Sequence, residues 1–132
     1  MSQGNVEIVR AAYEEWAKGN LRVGGELYDA DLLFIPRRHI PEARRYLGPE
    51  GLREFMLDWL ESMGDVTLVG EEFVDAGSSV VVSVVHRGVG KDSGAAAEMR
   101  YAEVWTFRGA KVIRREQFES RDEALEAVGL SE

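Results

Sequence analysis

Two carboxylates and a guanidinium near the end of the chain have the residue types and spacing for acid–base chemistry. Glu103 and Glu116 flank Gly109-Ala110, within segments that alternate apolar and polar residues with period two. A two-residue hairpin loop with glycine at its first central position suits a type II′ turn. That loop sets a pairing of Phe107 with Val112, Trp105 with Arg114, Glu103 with Glu116 and Tyr101 with Phe118. Large apolar residues then meet at both ends of one face. The other face (Thr106/Ile113, Val104/Arg115, Ala102/Gln117, Arg100/Glu119) is smaller and more polar. The expectation is an interior face of Met99, Tyr101, Trp105, Phe107, Val112 and Phe118, with Glu103 opposing Glu116 and Arg114 one step diagonal. Two acids so close in a low-dielectric place cannot both ionise cheaply, so one keeps its proton or Arg114 holds the pair. Either arrangement poises a general acid or base in an apolar cavity. It also predicts that a buried Glu103 titrates above the ordinary value of about 4.3. The plainer reading is a buried Glu–Arg–Glu cluster that serves structure alone.

Few other residues carry chemistry. His86 shares a face of its strand with Val80, Val82 and Val84, and alternation alone does not say whether that face is internal. His39 sits among Arg37, Arg38, Arg44 and Arg45, a basic loop on an acidic chain that reads most simply as solvated, with an anionic ligand or partner as the alternative. Tyr13, Trp16, Phe55 and Trp59 recur at helical spacing and read as core, yet the same rings would wall any cavity. The run from Gly88 to Gly94 lacks both the fingerprint spacing of a phosphate cradle and a helix after it, so it reads as a hairpin loop.

The elements that position these groups fall into two halves. Val6, Val9, Tyr13 and Trp16 predict a helix from Asn5 to Gly19, and a weaker one is expected over 21–28 despite Gly24 and Gly25. Leu32–Ile35 reads as a short buried strand, and Pro36–Gly48 as a loop. Pro49 opens the clearest helix, with an apolar stripe from Leu52 through Phe55, Met56, Trp59 and Leu60 to Met63. The period then becomes two, predicting strands over 67–75, 80–87, 97–107 and 111–119. Ser120-Arg121-Asp122-Glu123 is a capping box opening a last short helix. Helices followed by consecutive strands predict an α+β fold, helices on one face of an antiparallel sheet.

Composition narrows the function classes. The 132 residues suit a single domain spanning 1–132, large enough to fold on its own hydrophobic core. The absence of cysteine excludes disulfides, thiolate metal sites and a cysteine nucleophile, and two histidines make a histidine-rich metal site improbable. A net charge of −8 argues against nucleic acid as a partner. No apolar run approaches the ~18–20 residues that span a bilayer, and the first residues lack a signal peptide's basic start, so a cytoplasmic location is expected.

Four stretches resemble the SnoaL-like branch of the nuclear-transport-factor-2-like superfamily. They are Val9–Tyr13 with Gly19-Asn20, then Tyr46–Leu52, then Val104–Phe107 with Lys111-Val112, and finally Glu123–Leu130. The resemblance implies a cone, a strongly curved sheet wrapped round helices and enclosing a pocket, usually dimeric through the sheet. It spans ketosteroid isomerases, polyketide cyclases, an epoxide hydrolase and a dehydratase. Glu103, four residues before Phe107, looks like the oxyanion-donor position of the isomerases, which use a carboxylic acid kept neutral by an apolar site. Their base, an acid before a proline, is replaced here by Ile35 before Pro36. The epoxide hydrolase uses a carboxylate–arginine–carboxylate set, but at its arginine position this chain has Tyr101. The cyclases use one acid/base in an aromatic pocket, for which Glu103, Glu116 or His86 would serve. The resulting expectation is a homodimeric, cofactor-free cone with no metal, binding a small apolar molecule. Glu103 and Glu116 would be acid/base with Arg114 as orienter, and Tyr13, Trp16, Phe55, Trp59, His86, Tyr101, Trp105 and Phe118 the lining. The alternatives are a non-catalytic binding module and a structural dimer whose cavity its own aromatics fill.

Overall fold

The change of apolar period just after the long helix marks the boundary between two helices and most of a six-stranded sheet. A computed structural model describes residues 2–37, 45–90 and 92–130. In chain order the elements are α1 (Ser2–Ala17), a 3₁₀ turn (Gly25–Leu27), β1 (Tyr28–Ile35), β2 (Tyr46–Leu47), α2 (Gly48–Ser62), β3 (Met63–Ala76), β4 (Ser79–Gly90), β5 (Ala96–Arg108), β6 (Lys111–Phe118) and α3 (Arg121–Ala127). The sheet order is β2-β1-β6-β5-β4-β3, an open curved sheet with β2 and β3 at its edges. Neighbours are antiparallel except β1 and β6, which run parallel.

The two faces of the sheet bury different partners. On the concave face Val80, Val82, Val84, Tyr101, Trp105 and Phe107 pack against Val6, Val9, Tyr13 and Trp16 of α1 and Leu52 of α2. On the convex face Val81, Ala102 and Val104 pack under Ala124 and Leu125 of α3. Covered on both sides, Val80, Val81, Val82, Val84 and Val85 of β4 are almost wholly buried. α3 is capped as its sequence predicts: the Ser120 hydroxyl accepts from the Glu123 N–H at 3.2 Å, and the Glu123 carboxylate accepts from the Glu119 N–H at 3.3 Å.

Some expectations are revised. The helix expected over 21–28 is only the 3₁₀ turn, because Gly24 takes φ +105° and the chain is already extended at Tyr28. β1 is accordingly longer than the expected strand, and β3 and β4 extend beyond both expected ends. Arg38, His39 and Arg44 of the basic loop lie outside the described residues.

The largest correction concerns the last hairpin. Its turn is as expected, with Gly109 at φ +64° and Phe107 opposite Val112. Beyond them the register shifts: Thr106 pairs with Arg114, Trp105 with Arg115, Val104 with Glu116 and Glu103 with Gln117. Ile113 is the extra residue of a β-bulge, and one extra residue reverses the facing of everything after it. Arg114, Glu116 and Phe118 therefore leave the concave face, and Arg115 and Gln117 take their places.

Candidate functional site

Glu103 lies on the concave face of β5 and is fully buried, so its carboxylate must be satisfied by protein. Oε1 accepts from the Tyr13 hydroxyl of α1, from the Trp105 indole N–H at 3.0 Å and from Arg115 Nε at 3.0 Å. Oε2 accepts from Arg115 Nη2 at 3.1 Å and from Gln117 Nε2 at 3.0 Å. The bulge makes this possible: it turns Arg115 inward opposite Trp105, one diagonal step from Glu103, where its planar fork meets both carboxylate oxygens. Arg115 is itself 4% exposed, and donates through Nη1 to the Tyr28 hydroxyl at 3.0 Å. Its guanidinium lies 4.6 Å from the Trp105 ring centre and 5.0 Å from that of Trp16, so aromatic faces stand where water would otherwise be.

The electrostatics follow from this packing. Burial pushes the Glu103 carboxyl up, but the Arg115 charge and the hydrogen bonds from Arg115, Tyr13 and Gln117 outweigh it and hold the group below its ordinary value. The upward displacement expected from sequence is thereby reversed. Burial works against the Arg115 charge too, and Glu103 restores it. Burial and the neighbouring carboxylate push the Tyr13 hydroxyl well up, so it stays protonated and keeps donating. The result is an ionised pair with five donor contacts on one carboxylate. An acid so placed has no proton to give, and its lone pairs are already engaged.

The other expected residues are dispersed. Arg114 and Glu116 pair with each other at 2.8 Å away from the cavity, their side chains 47% and 24% exposed, so neither faces Glu103. Phe118 packs with the convex-face cluster beneath α3 and does not line the interior, whereas Met99 stands opposite His86 and is 37% exposed. Tyr13 is locked among Trp16, Phe73 and Trp105. Phe55 joins Phe34 and Tyr46 in an aromatic cluster between α2 and β1. Trp59 lies against the His86 ring, centres 4.9 Å apart. His86 itself is internal and 1% exposed, which settles the face of β4 that alternation left open. Tyr101 is buried beneath the Arg37 guanidinium, 4.2 Å from its ring centre.

A cleft of about 390 Å³ opens between the end of α1, the 3₁₀ turn and α2. Its walls include Trp16, Tyr28, Leu52, Met56 and Leu60, with Arg22, Glu50 and Arg53 also lining it. Tyr28 stacks on Trp105 and bonds Arg115, so it joins the cleft to the ionised pair. Among the described residues no group of three or more His, Asp or Glu side chains is arranged to hold a metal ion. No described helix is long and apolar enough to cross a membrane.

Sequence reasoning missed Arg115, Gln117 and Tyr28, and it expected Arg37 in a solvated loop whereas Arg37 is 8% exposed. The first two were signalled indirectly. Opposing Glu103 to Glu116 sets acid against acid, whereas a shift of one residue gives the buried acid an amide and a guanidinium.

Comparison with known proteins agrees with this architecture. The chain matches the SnoaL-like domain over residues 9–115. It is similar to TerC co-crystallized with polyporic acid, at 21% identity over 95% of this chain and 98% of that one, with a TM-score of 0.76. A hypothetical protein with a ketosteroid isomerase-like fold from Catenulispora acidiphila, solved in complex with trimethylamine, is 22% identical over 94% and 93% of the two chains, TM-score 0.73. A putative SnoaL-like polyketide cyclase from Jannaschia is 20% identical over 88% and 85%, TM-score 0.75. At such identities the likeness speaks for the fold alone. No curated protein matches the sequence. The family match extends from the first helix through the bulged hairpin to Arg115, and on that ground the chain belongs to the SnoaL-like family.

Proposed function

We propose that this protein binds a small, largely apolar molecule without a cofactor, in the cleft beneath α2. The observation that carries the reading is the cleft itself. Its volume falls in the range of small-molecule sites, and its inner wall is aromatic and aliphatic. The Tyr28 hydroxyl, oriented by Arg115, gives a ligand one fixed polar group at the inner wall. In this reading Glu103 and Arg115 are a rigid polar floor that holds α1, β5 and β6 together, and Glu103 is not the acid/base of a reaction. The homodimer implied by the family resemblance belongs to the same proposal and is checked by light scattering.

The test is a thermal-shift screen with planar apolar compounds, 2-naphthol among them, on the chain and on Met56→Trp, which fills the cleft. A ligand that binds only the folded state at 100 times its Kd adds about 2.7 kcal/mol. The expected result is a rise of several degrees that Met56→Trp abolishes. A screen without any stabiliser, or a shift indifferent to Met56→Trp, overturns the reading.

A further inference from the structure

Among the described residues three buried polar atoms outside the cleft and the ionised pair lack partners, and Tyr101, which lies beneath Arg37, stands one diagonal step from His86 across β4 and β5. The three atoms are Nδ1 and Nε2 of His86 and Nε of Arg37. His86 is 1% exposed and Arg37 8%, so solvent is a poor substitute for the missing bonds. A buried polar atom left unpaired is costly, and three on adjacent groups seldom occur without a functional reason.

The elements fix both groups firmly. His86 projects from β4, whose neighbours Leu68 of β3 and Met99 of β5 stand opposite it and carry no charge. Trp59 of α2 covers one side of the imidazole, ring centres 4.9 Å apart and planes tilted by 44°. Arg37 follows the end of β1, and its backbone N–H donates to Gln117 Oε1 at 3.3 Å. The amide of that same Gln117 donates to Glu103, so the position of Arg37 is tied to the ionised floor. Its guanidinium carbon lies over the Tyr101 ring, 4.2 Å from the ring centre. No described carboxylate bonds it, in contrast to Arg115. The Arg37 charge is also close enough to help burial keep the imidazole neutral, although the histidine's own backbone pulls weakly the other way.

We infer that His86 and Arg37 form a binding corner for an oxyanion carried on a flat aromatic ring. The chemistry selects that class. Arg37 supplies N–H donors and a positive charge, which favours a carboxylate or enolate oxygen over a neutral acceptor. A neutral imidazole offers one N–H donor to the same group and one acceptor nitrogen to a neighbouring hydroxyl. A cation is repelled by Arg37, and the Trp59 and Tyr101 rings beside the two polar groups suit a planar body better than a branched one. None of Arg37, Trp59, His86 and Tyr101 lines the cleft beneath α2, so this corner goes beyond the apolar binding proposed there.

The experiment uses the full chain labelled with ¹⁵N-histidine and carrying His39→Gln, so that His86 alone reports. Benzoate and its neutral isostere benzamide are titrated while the imidazole nitrogens are followed by long-range ¹H–¹⁵N correlation. The expected result is movement of the His86 signals with benzoate and a preference over benzamide of about tenfold, or 1.4 kcal/mol. Arg37→Gln brings the two affinities together, whereas Met56→Trp leaves the preference intact. Equal binding of the two probes, unmoved His86 signals, or a preference that survives Arg37→Gln overturns the inference. Should Arg37→Gln fail to fold, the benzoate-to-benzamide ratio and the His86 signals of the parent chain decide alone. Loss of 2-naphthol binding bears on the cleft and not on this corner, so the two proposals fail separately.

Discussion

Replacing Glu103 by glutamine removes one charge and alters almost no volume, so it isolates what the ionised pair does. The carboxylate accepts five hydrogen bonds, three at Oε1 and two at Oε2. A glutamine amide must place its NH₂ at one of those positions. Turned toward the less crowded side, it sets donor against donor at Arg115 Nη2 and Gln117 Nε2, and Arg115 loses its counter-charge inside aromatic walls. Breaking a buried pair from one side costs about 3–5 kcal/mol. Unfolding entropy for 132 residues is roughly 0.28 kcal/mol/K, so the melting temperature should fall by about 11–18 °C. That is a large share of a domain stability of about 5–15 kcal/mol. The double variant Glu103→Leu/Arg115→Met removes both charges and should regain part of the loss. It should stay below the parent, because the Tyr13, Trp105 and Gln117 donors are stranded at about 1–3 kcal/mol for each unsatisfied group. Calorimetry on the parent and the two variants checks the series. A Glu103→Gln loss under about 3 °C would mean that the carboxyl is protonated or wet, and the argument from saturation would collapse.

His86→Phe replaces two unpaired nitrogens by ring carbons against Trp59 and should raise stability by about 1 kcal/mol while abolishing the benzoate response; a lower melting temperature would show that the nitrogens are satisfied. Acid sensitivity should come in two steps. Both His86 and Glu103 are held below their ordinary values of 6.5 and 4.5, so the unfolded chain takes up their protons first; stability is full above each ordinary value and declines as pH falls below it. Arg37 is the charged group acting on His86, with Trp59, Leu68 and Met99 around it uncharged, so melting curves of His86→Phe between pH 7.5 and 5 should lose the first step and keep the second. Deleting Ile113 removes the extra residue of the bulge yet leaves Arg115 opposite Trp105; urea unfolding should show a cost of about 1–2 kcal/mol, below that of Glu103→Gln, and a greater loss would contradict the assignment of Ile113 as the bulged residue.

Most of the architecture was legible because it rests on local rules. Helical spacing in α1 and α2, the proline opening α2, the Ser120 cap and the glycine turns each act within a few residues. The expected helix over 21–28 failed for an equally local reason: Gly24 in the left-handed region ends any helical continuation, and the preference of Tyr28 for the sheet is a matter of its stacking on Trp105. That stacking is a contact between distant segments, which propensity does not report. The burial of His86 was likewise hidden, since both faces of β4 carry valines and alternation cannot rank them when α3 covers one and α1 with Trp59 of α2 the other.

The candidate site turned on a single residue. Alternation and turn type together predicted a regular hairpin, and both are satisfied for the first two pairs beyond the turn. What they leave out is the requirement that a wholly buried acid be neutralised and fully hydrogen-bonded. Had that requirement been applied to the face containing Tyr101, Glu103 and Trp105, the register with Arg115 and Gln117 inward would have been preferred over the one opposing two glutamates. Val112 and Ile113, adjacent and both apolar, are the local sign that one extra residue can be accommodated, the first buried inside and the second half-buried. The chemistry changes with it. Opposed acids would have made a titratable centre near neutrality, whereas one acid with a guanidinium, an amide, an indole and a phenol makes a fixed charge pair. Among the described buried side chains the groups with unspent hydrogen-bonding capacity are therefore His86 and Arg37.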